Sequence, residues 1–253
     1  MKIYSYNVNG IRSAINKGLL YWIDKADADI LCIQELKAQE SQVDIASFES
    51  MGYKVYFDTA EKKGYSGVAI LSRIEPVHIE HGCGNTLYDS EGRILRMDLE
   101  DFSIMSVYIP SGSSGEERQA FKMKFLDFFL DYVNELKKEI PRLIISGDFN
   151  ICHKPIDIHN PVSNKNSSGF LPEEREWVTK FLDAGFTDTF RFFNSGPHYY
   201  TWWSFRANAR AKNLGWRIDY HMSTKDLDNK LAGASILPDV IHSDHCPILL
   251  EIV

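Results

Sequence analysis

Five short polar motifs, each beside a strand-like apolar run, carry the side chains that metal-dependent phosphodiester hydrolysis requires. Carboxylates and amides offer hard oxygen ligands to Mg²⁺, and a histidine beside a carboxylate can act on a phosphate group. Because ligands usually bind where the loops beyond strand ends converge, we expect the motifs to form one polar site. The motifs are Asn7-Val8-Asn9-Gly10, Gln34-Glu35, Gly147-Asp148-Phe149-Asn150, Arg217-Ile218-Asp219-Tyr220 and Ser243-Asp244-His245-Cys246-Pro247.

Two of the motifs supply the candidates for metal binding and water activation. Glu35 follows a buried-looking strand and is the best metal-ligand candidate, although an exposed acid at a strand end explains it about as well. We expect Gly147 to let the backbone turn tightly before Asp148 and Asn150, which in extended geometry would point to the same face. Asp148 can orient or deprotonate water, and Asn150 can donate to developing charge. An ordinary Asp/Asn turn is the alternative interpretation.

His245 is the histidine that we single out, because it directly follows an acid in a polar cluster that precedes an apolar strand. A histidine that acts on phosphate needs a carboxylate to set its tautomer, and the sequence leaves Asp219 and Asp244 as alternatives. The other seven histidines are interpreted as core or surface residues. No cysteine or histidine cluster has zinc spacing, which disfavours zinc. Tyr108 ends another strand and can donate to a phosphate oxygen, although simple packing explains it nearly as well.

An aromatic segment with interspersed cations extends from Tyr199 to Trp216. Rings that stack on bases or sugars, together with cations that neutralise phosphates, are typical of nucleic-acid grooves. The segment therefore predicts a local basic patch on a chain whose net charge is −7. The alternative is a pair of aromatic strands joined by a soluble loop. The cations of the patch are Arg206, Arg210, Lys212 and Arg217.

The composition is that of a folded globular chain, with 44% hydrophobic and 25% charged residues among 253. Without a linker-like stretch or a fixed-period repeat, we expect a single domain over residues 1–253. The four cysteines lack a Cys-x-x-Cys pair, so we expect buried free thiols and a reducing cytosol. No signal segment is recognisable and no apolar run approaches the ~20 residues that span a bilayer, so we expect a cytoplasmic protein without a membrane partner.

Ten strands and three helices are expected to position these motifs. The many strands favour a bilayered sheet core covered by helices over one doubly wound sheet. The clearest helix is 115–138, with a capping box at Ser114 and Glu117 and an apolar stripe formed by Phe121, Phe125, Phe128, Tyr132 and Leu136. The other helices are predicted at 172–184 and near 18–27. The strands are predicted at 2–8, 30–34, 54–57, 67–72, 93–99, 103–109, 142–147, 199–204, 216–222 and 247–253.

In combination the motifs resemble the exodeoxyribonuclease III class of apurinic/apyrimidinic endonucleases, within the endonuclease/exonuclease/phosphatase superfamily. The resemblance runs nearly end to end. Glu35, Asp148, Asn150, Asp244 and His245 belong to motifs that superfamily phosphatases share. More specific to the DNA-repair branch are the stretch 208–220 and the opening Asn-Gly-Ile-Arg at 9–12.

The resemblance implies a four-layer α/β sandwich of the DNase I-like type, with two packed mixed sheets flanked by helices. It implies Mg²⁺, with Mn²⁺ as a substitute, bound near Glu35. The implied metal-site residues are Asn7, Asn9, Glu35, Asp148, Asn150, Asp244 and His245. The implied catalytic residues are Tyr108, Asp148, Asn150, Asp219 and His245. The implied DNA-binding residues are Arg12, Lys37, Tyr65, Asn164, Trp202, Arg210, Lys212, Trp216 and Ile218.

The roles implied by the resemblance form one reaction scheme. Asp148 positions or activates the attacking water, Asn150 and Tyr108 hold the phosphate, and Asp219 orients His245. An abasic nucleotide has no base to unstack, so its extrusion into a pocket costs little. The residues expected to line that pocket are Trp202, Trp216 and Ile218.

The expected activity is hydrolysis 5′ to an abasic site in double-stranded DNA by a monomer, with 3′-to-5′ exonuclease and 3′-phosphatase activities. One alternative is a phosphatase that acts on inositol phosphates or phospholipids, which the Trp202/Trp216 pair disfavours. Another is a catalytically silent DNA-binding module, which the full set of acids and histidine disfavours. Two positions depart from the family pattern. Some members have Asp where this chain has Asn9, and others have Asn or Gln where it has Ser111.

Overall fold

The computed structural model describes all 253 residues as twelve β-strands, seven α-helices and four short 3-10 helices. The strands are β1 (Lys2–Asn7), β2 (Ile30–Gln34), β3 (Lys54–Asp58), β4 (Val68–Ser72), β5 (His78–His81), β6 (Ile94–Asp98), β7 (Ser103–Tyr108), β8 (Leu143–Asp148), β9 (Phe186–Asp188), β10 (Asp219–Thr224), β11 (Leu231–Ile236) and β12 (Ile248–Ile252). The α-helices are α1 (Ile11–Asn16), α2 (Leu19–Ala26), α3 (Ile45–Glu49), α4 (Thr86–Asp89), α5 (Glu116–Glu139), α6 (Pro172–Asp183) and α7 (Thr189–Phe193). The 3-10 helices span Glu40–Gln42, Pro155–Asp157, Arg206–Asn208 and Lys225–Lys230.

The strands form two six-stranded sheets, each with a parallel pair at its centre. The strand order is β11-β12-β1-β2-β4-β3 in the first sheet and β5-β6-β7-β8-β10-β9 in the second. The central pairs β1–β2 and β7–β8 are parallel, and the other neighbouring strands are antiparallel. Both sheets are therefore mixed, as expected.

The two sheets pack face to face, and alternate residues of the central strands fill the space between them. On β2, Ile30 and Cys32 join Ile144 of β8 in the core shared by the sheets. Leu31 and Ile33 of the same strand point to the opposite face and pack under the helices of the first sheet. This division follows from the two-residue period of a strand, and it explains why β2 carries apolar residues on both of its faces.

A helical layer covers the outer face of each sheet. Leu19 and Ile23 of α2 pack on the first sheet. Phe125 and Phe129 of α5 and Phe181 of α6 pack on the second. The expected four-layer α/β sandwich is confirmed.

The long helix α5 starts and ends one residue later than predicted, and its buried face is rotated from the predicted stripe. Its buried aromatic and aliphatic residues are Phe125, Leu126, Phe129 and Val133. The predicted capping box is wrong, because Gly115 precedes the helix and no side chain caps it. The other stripe residues are only partly buried: Phe121, Phe128, Tyr132 and Leu136.

Nine of the ten predicted strands are present, with ends within three residues of the prediction. The predicted strand at 199–204 is wrong, because Trp202 makes only isolated bridges to Trp216 and His245. The missed strands β5, β9 and β11 all lie at sheet edges.

The cysteines behave as predicted. All four are free, and Cys32, Cys152 and Cys246 are buried. No helix combines the length and the apolar character needed to cross a lipid bilayer.

Candidate active site

Strand register brings the polar motifs to the same end of the two sheets, where β1, β2 and β8 end and β10 begins. In the first sheet, Asn7 at the end of β1 pairs with Gln34 at the end of β2. In the second, Asp148 at the end of β8 pairs with Tyr108 on one side and with Asp219 on the other. Because β10 runs antiparallel to β8, Asp219 begins its strand at the edge where β8 ends.

Asn7 connects the two sheets at this edge. Its Nδ2 donates to Oε1 of Glu35 at 2.9 Å and to Oδ2 of Asp148 at 2.9 Å. Its Oδ1 accepts from the backbone N–H of Asn9 at 3.0 Å. Asn7 therefore holds two carboxylates together through its N–H groups, and its part as an oxygen ligand stays a prediction.

Several site residues adopt the left-handed backbone conformation, which is uncommon outside glycine. The φ angles are 47° at Asn9, 53° at Glu35 and 53° at Asn150. Such conformations are costly, least so for Asn, and they concentrate where a protein holds side chains in functional positions. The turn at Asn150 corrects our expectation of extended geometry, although the predicted convergence holds, with Asn150 Nδ2 at 3.3 Å from Asp148 Oδ2.

Gly147 has a different role from the tight turn that we expected. It lies inside β8, where a Cβ atom at its position would lie 1.9 Å from the backbone oxygen of Val107 on the neighbouring strand. Only glycine allows this close approach of β7 and β8. The close approach brings Asp148 to its position in the site.

Asp219 is the carboxylate partner of His245, which settles the alternative left open by the sequence. Nδ1 of His245 lies 2.9 Å from Oδ2 of Asp219, and its Nε2 lies 3.9 Å from Oδ2 of Asp148. Burial lowers the pKa of His245, but the charge of Asp219 and its hydrogen bond outweigh burial and raise the pKa above its ordinary value. The ring is thereby oriented with Nε2 towards the site.

Burial and neighbouring charges make Asp148 a stronger base than an ordinary aspartate. Burial contributes most to raising its pKa, followed by the charge of Asp219, whereas His245 acts in the opposite direction. Oδ1 of Asp148 accepts from the backbone N–H of Asn150 at 2.8 Å, which holds the carboxylate in place. A base with a raised pKa is suited to taking a proton from water near neutral pH.

The donor set at this edge fits a divalent cation. The carboxylates of Glu35 and Asp148 offer oxygen ligands, and a ring nitrogen of His245 lies within 4.8 Å of both, but the raised pKa of His245 favours the protonated ring, which cannot bind a metal. Carboxylate oxygens are the ligands that Mg²⁺ prefers. The ammonium group of Lys37 lies at the same oxygens: its Nζ is 2.6 Å from Oε2 of Glu35 and 2.5 Å from Oδ1 of Asn9.

Asp244 connects the metal-site candidates to the aromatic wall. Its Oδ1 accepts from Nδ2 of Asn9 at 2.8 Å, and its Oδ2 accepts from Nε1 of Trp202 at 3.0 Å. Burial tends to raise the pKa of Asp244, but His245 and these two donors outweigh burial and lower it. Asp244 therefore remains an ionised acceptor.

A cavity of about 440 Å³ opens beside the carboxylates. The indole rings of Trp202 and Trp216 meet edge to face, with centroids 6.0 Å apart, at one wall. Tyr108 also lines the cavity, and burial raises the pKa of its hydroxyl well above the ordinary value, so it remains an O–H donor. The cavity is lined by Glu35, Tyr108, Ser111, Ser113, Asp148, Asn150, Ser168, Gly169, Trp202, Trp216, Ile218, Asp244 and His245.

The predicted basic patch is smaller than expected. Arg217 is fully buried, so its assignment to a surface patch is wrong. Arg210 donates to the backbone oxygens of Ser243, His245, Pro238 and Val240, and thereby supports the loop that carries the histidine. The remaining cations, Arg206 and Lys212, are exposed.

The other predicted DNA-binding residues lie in different environments, and their roles stay predictions. Arg12 is exposed on α1. The hydroxyl of Tyr65 accepts from Arg93 and Arg118. Asn164 is half-buried, and its side chain donates to the backbone oxygens of His159 and Asn160.

Sequence reasoning missed residues that support the site from behind. Arg93 is buried, donates to the backbone oxygen of Tyr108 at 2.8 Å and lies 4.8 Å from the centre of its ring. Lys122 and Glu174 form a buried ion pair next to Asn150. The sequence could have indicated the role of Lys122, because it lies three and four residues before the buried Phe125 and Leu126 and therefore on the buried face of α5.

The chain matches known proteins over nearly its whole length. The model of the Endonuclease/Exonuclease/phosphatase family matches residues 4–245. The exodeoxyribonuclease of Bacillus subtilis is 43% identical, with 100% of this chain and 99% of the relative covered. DNA repair nuclease APEX1 of Danio rerio is 40% identical, with 99% of this chain and 81% of the relative covered.

Solved structures are similar over the same extent. An AP endonuclease from Archaeoglobus fulgidus has a TM-score of 0.91 at 29% identity, covering 100% of this chain and 99% of that one. The 3′ phosphatase NExo from Neisseria, bound to a product DNA hairpin, has a TM-score of 0.92 at 25% identity, with the same coverage. The chain therefore belongs to the Endonuclease/Exonuclease/phosphatase family and, within it, to the exodeoxyribonuclease III class of apurinic/apyrimidinic endonucleases.

Proposed function

We propose that this protein is a metal-dependent DNA-repair nuclease that hydrolyses the phosphodiester bond 5′ to an abasic site in double-stranded DNA. The observation that carries the proposal is the convergence of Glu35, Asp148 and His245 beside a cavity walled by Trp202 and Trp216. The names of the relatives, which include an AP endonuclease and exodeoxyribonucleases, support the same substrate class.

Glu35 is the residue that would hold Mg²⁺, or Mn²⁺ in its place, with Asn9 and Asp244 nearby. When bound, the ion supplies positive charge that offsets the charge developing on the phosphate oxygens. Asp148 orients a water molecule and takes its proton, since its raised pKa suits it to general-base catalysis. Asn7 donates to the carboxylates of both Glu35 and Asp148 and so holds them beside each other.

The remaining side chains bind the phosphate and the sugar. His245, kept in one orientation by Asp219, points Nε2 towards the scissile group and contributes positive charge there. The hydroxyl of Tyr108 and the amide of Asn150 donate to phosphate oxygens as negative charge develops. Because an abasic nucleotide has no base to unstack, its extrusion into the tryptophan-walled cavity costs less than that of an intact nucleotide.

The proposal extends to related reactions at DNA ends. Two solved structures of NExo from Neisseria describe it as a 3′ phosphatase and as a 3′-5′ exonuclease, and the same phosphate site would serve both reactions here. We also propose that the chain acts as a single domain and as a monomer in the cytoplasm. Arg12, Lys212 and Asn164 are the candidates for contacts with the DNA on either side of the cavity.

The proposal is tested with a duplex that contains one abasic analogue, beside an undamaged duplex and soluble inositol phosphates. We expect Mg²⁺-dependent cleavage of the abasic duplex, with a 3′-hydroxyl and a 5′-deoxyribose phosphate as products, and inhibition by a chelator. Rapid hydrolysis of inositol phosphates together with an intact abasic duplex would instead establish the phosphatase alternative.

Lys37→Met is expected to raise the affinity for Mg²⁺ by about tenfold, because the ammonium of Lys37 competes with the ion for Glu35 and Asn9. The same variant should melt at a lower temperature without Mg²⁺, since the acidic cluster then lacks a neighbouring cation. Isothermal titration calorimetry and thermal melting measure the two effects without reference to activity.

A matched control for this change is Lys54→Met, which breaks the Lys54–Glu75 ion pair at the opposite end of the first sheet. It removes the same charge without touching the site, so its Mg²⁺ affinity should equal that of the wild type. Equal affinities in the Lys37 variant and the wild type would show that Lys37 does not compete with the ion.

A further inference from the structure

A fully buried ion pair links two outer helices directly behind the active site. Nζ of Lys122 on α5 lies 2.6 Å from Oε1 of Glu174 on α6, and neither side chain is exposed to solvent. Burying two charges is costly unless their remaining donors and acceptors also find partners. The further partners of this pair therefore indicate what it supports.

Both partners of the ion pair also bind the backbone of segments that line the cavity. Nζ of Lys122 donates to the backbone oxygen of Asn150 at 2.8 Å. Oε2 of Glu174 accepts from the backbone N–H groups of Gly169 at 2.6 Å and Leu171 at 3.0 Å. The pair thus ties the turn that carries Asn150 to the loop that contains Gly169.

Gly169 in turn lies between Asn150 and the aromatic wall. A Cβ atom at Gly169 would lie 3.1 Å from the backbone oxygen of Asn150 and 3.0 Å from Cζ3 of Trp216. The φ angle of Gly169 is 93°, and its oxygen accepts from the N–H of Cys152 at 2.8 Å. Because there is so little free space around Gly169, a shift of this residue would displace both Asn150 and Trp216.

Gln119 connects the pair to the cavity wall through two hydrogen bonds. Nε2 of Gln119 donates to Oε1 of Glu174 at 3.1 Å, and Oε1 of Gln119 accepts from the hydroxyl of Ser168 at 2.7 Å. Ser168 itself lines the cavity. Glu174 therefore holds the loop directly at Gly169 and Leu171, and at Ser168 through Gln119.

We infer that Lys122 and Glu174 are a positioning pair for the reaction, which holds Asn150 and the wall formed by Gly169 and Trp216 in the geometry that binds the phosphate and sugar. This inference rests on the proposed function. Neither residue lines the cavity, so both act through the segments that they bind. Small displacements of groups that contact a transition state lower rates strongly even when binding is retained.

The test compares Lys122→Met, Glu174→Gln and the double variant on a duplex with one abasic analogue. We expect kcat of the double variant to fall about 10- to 100-fold while KM for the duplex changes less than about threefold. We expect kcat to fall more than KM rises because Asn150 and the aromatic wall shift, whereas the surface cations proposed to bind the flanking DNA remain in place. The double variant leaves no unpaired buried charge, so it carries the test if a single variant does not fold.

Val133→Ala on the same helix is the matched control, because Val133 packs in the core and makes no contact within the ion-pair network. Kinetics are measured at a temperature where all variants are folded by circular dichroism. A double variant with wild-type kcat would overturn the inference, and so would an equal loss of kcat in Val133→Ala. If the wild type itself leaves the abasic duplex intact, the proposed function fails instead.

Discussion

Replacing Asp148 by Asn is expected to lower kcat on an abasic duplex by about 10²- to 10⁴-fold and to leave DNA affinity within about threefold. Asn has nearly the same shape, and its one oxygen can still accept from the backbone N–H of Asn150, whereas its amide nitrogen replaces the oxygen that accepts from Asn7. The site therefore keeps its shape and loses one hydrogen bond. It cannot take a proton from water, which is the role that we assign to Asp148. Single-turnover kinetics and fluorescence-detected DNA binding measure the two quantities.

Two comparisons make this result interpretable. Asp98→Asn changes an aspartate at the opposite edge of the same sheet, beside Arg96, and should leave kcat unchanged. A series of Mg²⁺ concentrations separates loss of the base from weakened metal binding, because excess ion can restore only the latter. If kcat of Asp148→Asn at saturating Mg²⁺ is within tenfold of the wild-type value, Asp148 is not the general base.

Arg217→Met is expected to lower the free energy of unfolding by about 3–5 kcal/mol, because it leaves two buried carboxylates without their main partner. Nε of Arg217 donates to Oδ1 of Asp157 at 2.8 Å, and Nη2 lies 2.7 Å from Oδ2 of Asp188. The variant should also lose activity, since Arg217 lies between Trp216 and Ile218, which line the cavity. Urea unfolding measured by circular dichroism gives the free energy.

The difference in the free energy of unfolding between the wild type and Arg217→Met should depend on pH, because it arises from carboxylates such as that of Asp157. Burial tends to raise the pKa of Asp157, but Arg217 and Arg191 outweigh burial and hold it below the ordinary value. Stability from such a group is present above its unfolded pKa and is lost as the pH falls through its folded pKa. The gap between wild type and variant should therefore be largest near neutral pH and should shrink in acid.

Lys180→Met provides the matched control, since it breaks an ion pair with Glu176 that is largely exposed on α6. Its effect on the free energy of unfolding should be below about 0.5 kcal/mol, as is usual for exposed pairs. A loss in Arg217→Met no larger than this control would show that the buried network contributes little to stability.

The three strands that the sequence missed have one neighbour each, whereas eight of the nine strands that it predicted correctly have two, and β3 is the exception. Central strands such as β2 and β8 are buried on both faces, so each carries a continuous apolar run, 30–33 and 143–145, that is easily recognised. The missed strands β5, β9 and β11 are edge strands with one neighbour each. Edge strands bury fewer side chains, so their apolar pattern is weak.

The predicted strand at 199–204 failed for the opposite reason. Its aromatic and β-branched residues have a high strand propensity, yet the ring of Trp202 forms part of the cavity wall and the ring of Trp203 packs with Ala209 and Cys246. Propensity describes how well a residue suits a pleated surface, and tertiary contacts override it.

The sequence alone determined which chemistry was available, because the acids, amides and the histidine with an adjacent acid were recognisable from their types and from the strands beside them. It could not determine which of them meet. Asn7 and Asp148 are 141 residues apart, and only the packing of two sheets brings their side chains to 2.9 Å. The fate of the cations was equally undecided, since Arg206 is exposed and Arg217 is buried although both belong to one basic stretch. The sequence lists the residue types and indicates local conformation, whereas contacts between distant residues form only when the layers of the fold pack together.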